Sequence, residues 1–169
     1  MKRNFLFRQI VRTVKLVYRM VRLLWLFLML PLREKLWVPE ILVFLAAARF
    51  MILFLPFRFA GKFLGEKNGQ LIPYCKGKTP SRLVEIGKMI EKVVKISPVG
   101  GVCLDKAVVA RMMLGWRRYP MITYFGADSH CRQTKGHAWV QCGSDIITGE
   151  TGKEKFTVVA SFSFQPCKN

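Results

Sequence analysis

The hydrophobic period changes once along the chain, near residue 120, and this change constrains the fold more than any other feature. Before it, apolar residues recur at steps of three and four, the spacing of helices; from Met121 onward they alternate, the spacing of strands. Helices first and antiparallel strands after define an α+β chain. The segments Met121–Phe125, His137–Cys142, Ile146–Thr148 and Phe156–Phe162 read as strands. Gly143-Ser144 reads as a two-residue hairpin loop, with glycine first as a type II′ turn requires. The 169 residues suffice for one core and little more, and no internal repeat is evident.

The helical part divides further. Residues 1–64 read as a basic and apolar helical segment, and residues 65–169 as the core domain. In the first segment, basic residues fall at positions 8, 12, 15, 19 and 22, which is one stripe on a helix over residues 5–30. Phe7, Ile10, Val14, Val17, Tyr18 and Val21 cover its other faces. Such a helix suits an anionic membrane surface, and equally a face packed on protein. A second apolar helix spans residues 39–57, set off from the first by Pro31–Pro39. Neither apolar run reaches the roughly 20 uninterrupted residues that cross a bilayer, and Arg49 interrupts the second. Two buried or interfacial helices are expected. Residues 65–78 read as loop. Thr79-Pro80 then starts a helix that runs to Ile96, and the Gly-rich turn before Cys103 leads into another, stopped by Gly115.

The formal net charge is +18, and residues 1–30 carry seven basic residues and no acidic one. With 51% hydrophobic residues the chain is not disordered. The charge favours acidic partners. The basic stripe lacks interleaved stacking aromatics and no nucleic-acid motif appears, so no nucleic acid is expected. The five cysteines are an odd number without a CxxC pair, and no cleavable signal is recognisable. Reduced thiols in a cytoplasm follow. His130, Cys131, His137 and Cys142 match no common zinc spacing, and no metal or cofactor is expected.

Two residues carry the candidate chemistry. Cys103 opens a helix after a Gly-rich turn, where backbone N–H groups stabilise a thiolate and can hold an oxyanion. Ala107 and Ala110 share its face and would let a sheet approach closely. His137 begins a strand that would fix it as a base, whereas His130 sits in a polar loop. Position alone also suits an inert buried cysteine and a structural histidine. A third member follows from register. With Gly143-Ser144 as the loop, Cys142 pairs with Asp145 and His137 lies across from Glu150, which could orient the imidazole. A bulge would shift this count, leaving Asp145 or no acid at all as alternatives.

The run Ser97-Pro98-Val99-Gly100-Gly101-Val102-Cys103-Leu104, Ala107 on the helix, and Gly136-His137-Ala138-Trp139-Val140 together resemble the leader peptidase of lasso-peptide biosynthesis. This B protein has a papain/transglutaminase-like core, related to the C-terminal part of the microcin-maturation B protein. Leu32-Arg33-Glu34-Lys35-Leu36 and Pro56-Phe57-Arg58 resemble its hydrophobic N-terminal segment, so the likeness spans roughly residues 20–165. The resemblance implies a thiol protease with Cys103 as nucleophile and His137 as base. It would cut a precursor peptide between leader and core and act with a small leader-binding protein and the lasso cyclase. The family's acidic residue does not carry over cleanly: no Asp stands at the obvious place after the His-Ala-Trp strand, only Glu150. A non-catalytic adaptor that docks the precursor and cyclase, or an acyltransferase of the transglutaminase type, would carry the same residues.

Overall fold

A computed structural model describes residues 2–54, 63–67, 80–98, 101–128 and 135–166. Helix α1 spans Lys2–Met29 and ends at Pro31, whose extended backbone (φ −62°, ψ 152°) cannot continue it. A single turn, α2 (Leu32–Lys35), leads into α3 (Trp37–Phe54). The separation expected over Pro31–Pro39 is therefore shorter than the prolines suggest. Pro39 lies in the first turn of α3, where an amide hydrogen would have no helical partner.

Helix α4 (Ser81–Ile96) follows, with Pro80 immediately before its first residue; Thr79 lies outside the described residues. Helix α5 (Cys103–Trp116) begins at the cysteine, as expected. Gly115 does not stop it but sits in its last turn. A Cβ there would lie 2.2 Å from Arg111 Nη1, so the glycine makes room for that side chain. The Arg111 guanidinium stacks 3.5 Å from the Phe164 ring centroid, and its Nε donates to the Leu64 carbonyl at 3.2 Å. Burial lowers its pKa to about 10.

The strands form one antiparallel sheet in the order β1-β5-β2-β3-β4. These are β1 (Glu66–Lys67), β2 (Met121–Asp128), β3 (Lys135–Cys142), β4 (Asp145–Thr148) and β5 (Thr157–Phe164). β1 is an edge strand within the stretch read as loop. The α+β class stands: four long helices and a five-stranded antiparallel sheet. One core unites them. Trp37, Val38, Ile41, Leu45 and Ala48 of α3 are buried together with Leu83, Ile86, Ile90 and Val93 of α4 and Ala107, Ala110 and Met113 of α5. Ala107 and Ala110 are fully buried where α5 packs against β3. Two ion pairs tie α3 to α5. Arg117 holds Glu40 with both terminal nitrogens, at 2.6 and 2.7 Å, and that hydrogen bond raises the Arg117 pKa. Arg49 holds Asp105 at 3.0 Å.

The β3–β4 hairpin corrects the register argument. Cys142 does pair with Asp145, and Gln141 with Ile146. Gly143 has φ 58° and Ser144 is not in the left-handed region, as a type II′ turn requires. The next pair is Val140 with Thr148, so Ile147 is an extra residue and the ladder bulges. His137 therefore does not lie across from Glu150. The physical reason is tertiary. α4 crosses so close to the bulge that a Cβ on Gly87 would lie 2.1 Å from the Ile147 carbonyl oxygen.

Candidate active site

Cys103 stands at the first position of α5. Val102 before it is extended (φ −94°, ψ 174°), and its N–H donates to Asp105 Oδ2 at 2.7 Å, which fastens the helix start. Gly101 is needed for close approach: a Cβ there would meet Val94 Cγ1 of α4 at 2.1 Å. The Cys103 thiol is half-buried and its Sγ donates to the carbonyl of Gly136 at 3.8 Å. Gly136 immediately precedes His137 on β3, so α5 and β3 bring the thiol to the strand end that carries the imidazole.

His137 is held on three sides. Its ring stacks on Phe156 (centroids 5.0 Å, 26° between planes) and on Trp139 (5.9 Å, 27°). Trp139 stacks in turn on Tyr124 at 5.5 Å, and burial raises the Tyr124 pKa. Gly126 lies opposite His137 in the ladder; a Cβ there would press within 2.7 Å of Phe156 and 2.9 Å of Trp139. The absent side chain thus makes space for the stack. The third hold is a hydrogen bond of 2.8 Å between His137 Nε2 and the carbonyl oxygen of Gly149. A carbonyl only accepts, so Nε2 carries the proton, and in the neutral ring Nδ1 keeps the lone pair. The imidazole is thereby fixed in the tautomer a base requires, with Nδ1 as the basic atom.

The Gly149 carbonyl occupies the place expected of an acid. Glu150 is exposed, and the bulge removes it from the position opposite His137. Asp145 stays at the turn, where its Oδ2 accepts from Ser144 Oγ at 3.1 Å. One carboxylate does reach this region. Glu91 of α4 accepts the Gly149 N–H through Oε1 at 3.1 Å and pairs through Oε2 with Lys106, which follows Cys103 by three residues on α5.

A model of the transglutaminase-like superfamily matches residues 55–161, more than half of the chain. The chain belongs to the transglutaminase-like superfamily. No curated protein and no solved structure matches it. In this transglutaminase-like domain a thiol at a helix start and a tautomer-locked imidazole on an adjacent strand are the parts that nucleophilic acyl chemistry uses. Among the described residues no group of three or more histidine, cysteine or acidic side chains is placed to hold a metal ion. His130, Cys131, Cys75 and Cys167 lie outside the described residues. Cys142 is buried and donates to the Pro120 carbonyl at 3.1 Å.

Three residues of this transglutaminase-like site escape sequence reasoning. Phe156 reads from the sequence only as the first residue of a strand, and nothing local singles out Gly149 or Glu91. Glu91 lies 58 residues from Gly149 in the chain, and no local spacing links them.

Proposed function

We propose that this protein is a cysteine peptidase that removes the leader from a ribosomally made lasso-peptide precursor. The observation that supports the chemistry is the Cys103 thiol on the carbonyl of Gly136, next to His137, whose Nε2 is engaged by the Gly149 carbonyl so that Nδ1 keeps the lone pair of the neutral ring. The substrate class rests on the likeness of Ser97–Leu104 and Gly136–Val140 to the lasso-peptide B proteins.

In this reading the Cys103 thiol gives its proton to His137 Nδ1, and Sγ attacks the scissile carbonyl. First-turn N–H groups of α5 stabilise the oxyanion. The imidazolium returns its proton to the leaving amine as the thioester forms. Water then attacks the thioester, His137 takes its proton and passes it to the departing Cys103 sulfur, and the leader is released with a free carboxylate. The second amine-bearing product is the core peptide, ready for a macrolactam-forming cyclase. A small leader-binding protein would present the precursor, and the reaction belongs in a reducing cytoplasm.

Incubation with the precursor and leader-binding protein encoded beside its gene, followed by intact mass measurement, tests the reading. Cleavage between leader and core is the expected result. Cys103→Ala abolishes it, and retained cleavage by that variant would sink the assignment. A product heavier by an amine would assign acyl transfer to an amine in place of hydrolysis. No reaction with a folded chain and an unreactive Cys103 would make it an adaptor.

A further inference from the structure

We propose that α1 and the outer face of α3 form a docking surface for an anionic lipid bilayer. On α1, Val14, Val17, Val21, Leu24, Trp25 and Leu28 are exposed and lie along one side. Arg8, Arg12, Lys15, Arg19 and Arg22 are exposed along another, where Arg19 also donates to the Ser97 carbonyl at 3.4 Å. Among the described side chains of this helix only Leu23 is buried in the core. On α3, Val43, Phe50, Leu53 and Phe54 face outward, and the Phe50 and Phe54 rings pack on each other at 4.7 Å. Against the expectation from its interrupted apolar run, the helix is long and apolar enough for a bilayer span by length and composition alone. Its other face is sealed against α4 and α5, and Arg49 is committed to the buried Asp105. α3 therefore presents one apolar side and keeps the other in the core, the geometry of contact with a bilayer from one side.

Charge chooses the occupant. Residues 1–30 hold seven cations and no anion, which an anionic headgroup layer complements along the whole helix. Long basic side chains reach that layer while their stems lie along apolar surface. Tyr18 and Trp25, both exposed, are the residue types that settle at headgroup level.

The test is sedimentation of the full chain with vesicles of phosphatidylglycerol and phosphatidylcholine, and with phosphatidylcholine alone. Binding to the anionic vesicles that falls steeply with salt is expected. Arg12→Gln with Lys15→Gln should lower the partition constant about thirtyfold. Phe50→Ser with Leu53→Ser should weaken it with unchanged circular dichroism. No binding at low salt overturns the proposal, as does binding indifferent to lipid charge. Salt-insensitive self-association in light scattering without vesicles would assign these faces to a second copy and overturn it as well.

A separate observation concerns the missing acid, and it rests on the reading of Cys103 and His137 as nucleophile and base. The geometry assigns Glu91 as the residue that positions His137, acting through the Gly149 backbone. Glu91 Oε1 holds the Gly149 N–H and His137 Nε2 holds the Gly149 carbonyl, so Gly149 is gripped on both sides of its Cα. Glu91 Oε2 holds Lys106, on the helix that Cys103 opens. One carboxylate thereby links the thiol's helix to the loop that fixes the base.

Glu91→Leu should slow Cys103 alkylation by iodoacetamide about tenfold and lower kcat for leader cleavage up to about a hundredfold, with KM little changed. Glu91→Gln keeps an acceptor for the Gly149 N–H and should restore most of both. Equal rates in the Leu variant and the wild type overturn the positioning role, as does a Gln variant no better than Leu. These failures are distinguishable from failure of the active-site reading, which Cys103→Ala tests on its own.

Discussion

Asp105→Ala lowers the free energy of unfolding by about 3 kcal/mol, the range found when one partner of a buried ion pair is removed. The Asp105 side chain is 1% exposed and Arg49 is 31% exposed, so most of the desolvation falls on the carboxylate. Its Oδ2 takes both the Arg49 guanidinium at 3.0 Å and the Val102 N–H at 2.7 Å, while Oδ1 has no partner among the described residues. Alanine removes a helix-start acceptor, worth about 1 kcal/mol, and leaves Arg49 Nη2 without its carboxylate beside the core. Arg49→Met should cost more than Asp105→Ala, because it strands the more deeply buried charge. The double variant Arg49→Met with Asp105→Leu should recover most of the loss, since apolar replacement of a buried pair is often neutral. Urea denaturation of the four chains checks this. A loss under about 1 kcal/mol for Asp105→Ala would mean that the pair does not anchor α3 to the start of α5.

The same pair shows how far the sequence could be read. Arg49 in an apolar run argued against a membrane span, and that argument needed only the cost of a lone charge in lipid. Its partner was out of reach, because Asp105 lies 56 residues on and a carboxylate in a first helical turn is an ordinary feature. The class of fold, the start of α5 at Cys103 and the Gly143-Ser144 turn were legible because local chemistry sets them: a Gly-rich turn, a period, a glycine at positive φ. The third site member was not. The count from Cys142 and Asp145 runs true for two pairs and fails at Ile147, and nothing in the residues around Ile147 signals a bulge. What places it is α4, whose Gly87 admits the Ile147 carbonyl. Gly87 is a contact point between the helix layer and the sheet.

Gly149→Ala should cost both stability and turnover, and Gly152→Ala should cost only a little stability. Both glycines are left-handed, at φ 78° and 83°. A side chain in that region costs about 1–2 kcal/mol in itself. They differ in surroundings. A Cβ on Gly149 would lie 2.4 Å from the Ala138 carbonyl oxygen and 2.9 Å from Trp139 Cβ, whereas one on Gly152 meets nothing within 4 Å. Both of these close contacts belong to β3, so Gly149 relaxes by moving away from that strand. That movement carries off the carbonyl that holds His137 Nε2. The ring is then free to turn between Phe156 and Trp139 and to present the protonated nitrogen to the thiol. Shifts of about 1 Å at reacting groups cost on the order of a hundredfold in rate. The expected pattern is therefore a Gly149→Ala protein with a lowered melting temperature and turnover reduced about a hundredfold, beside a Gly152→Ala protein with near wild-type turnover. Equal turnover in the two variants would show that the base is oriented by something other than the Gly149 carbonyl, and Glu150→Gln would be the next variant to assay.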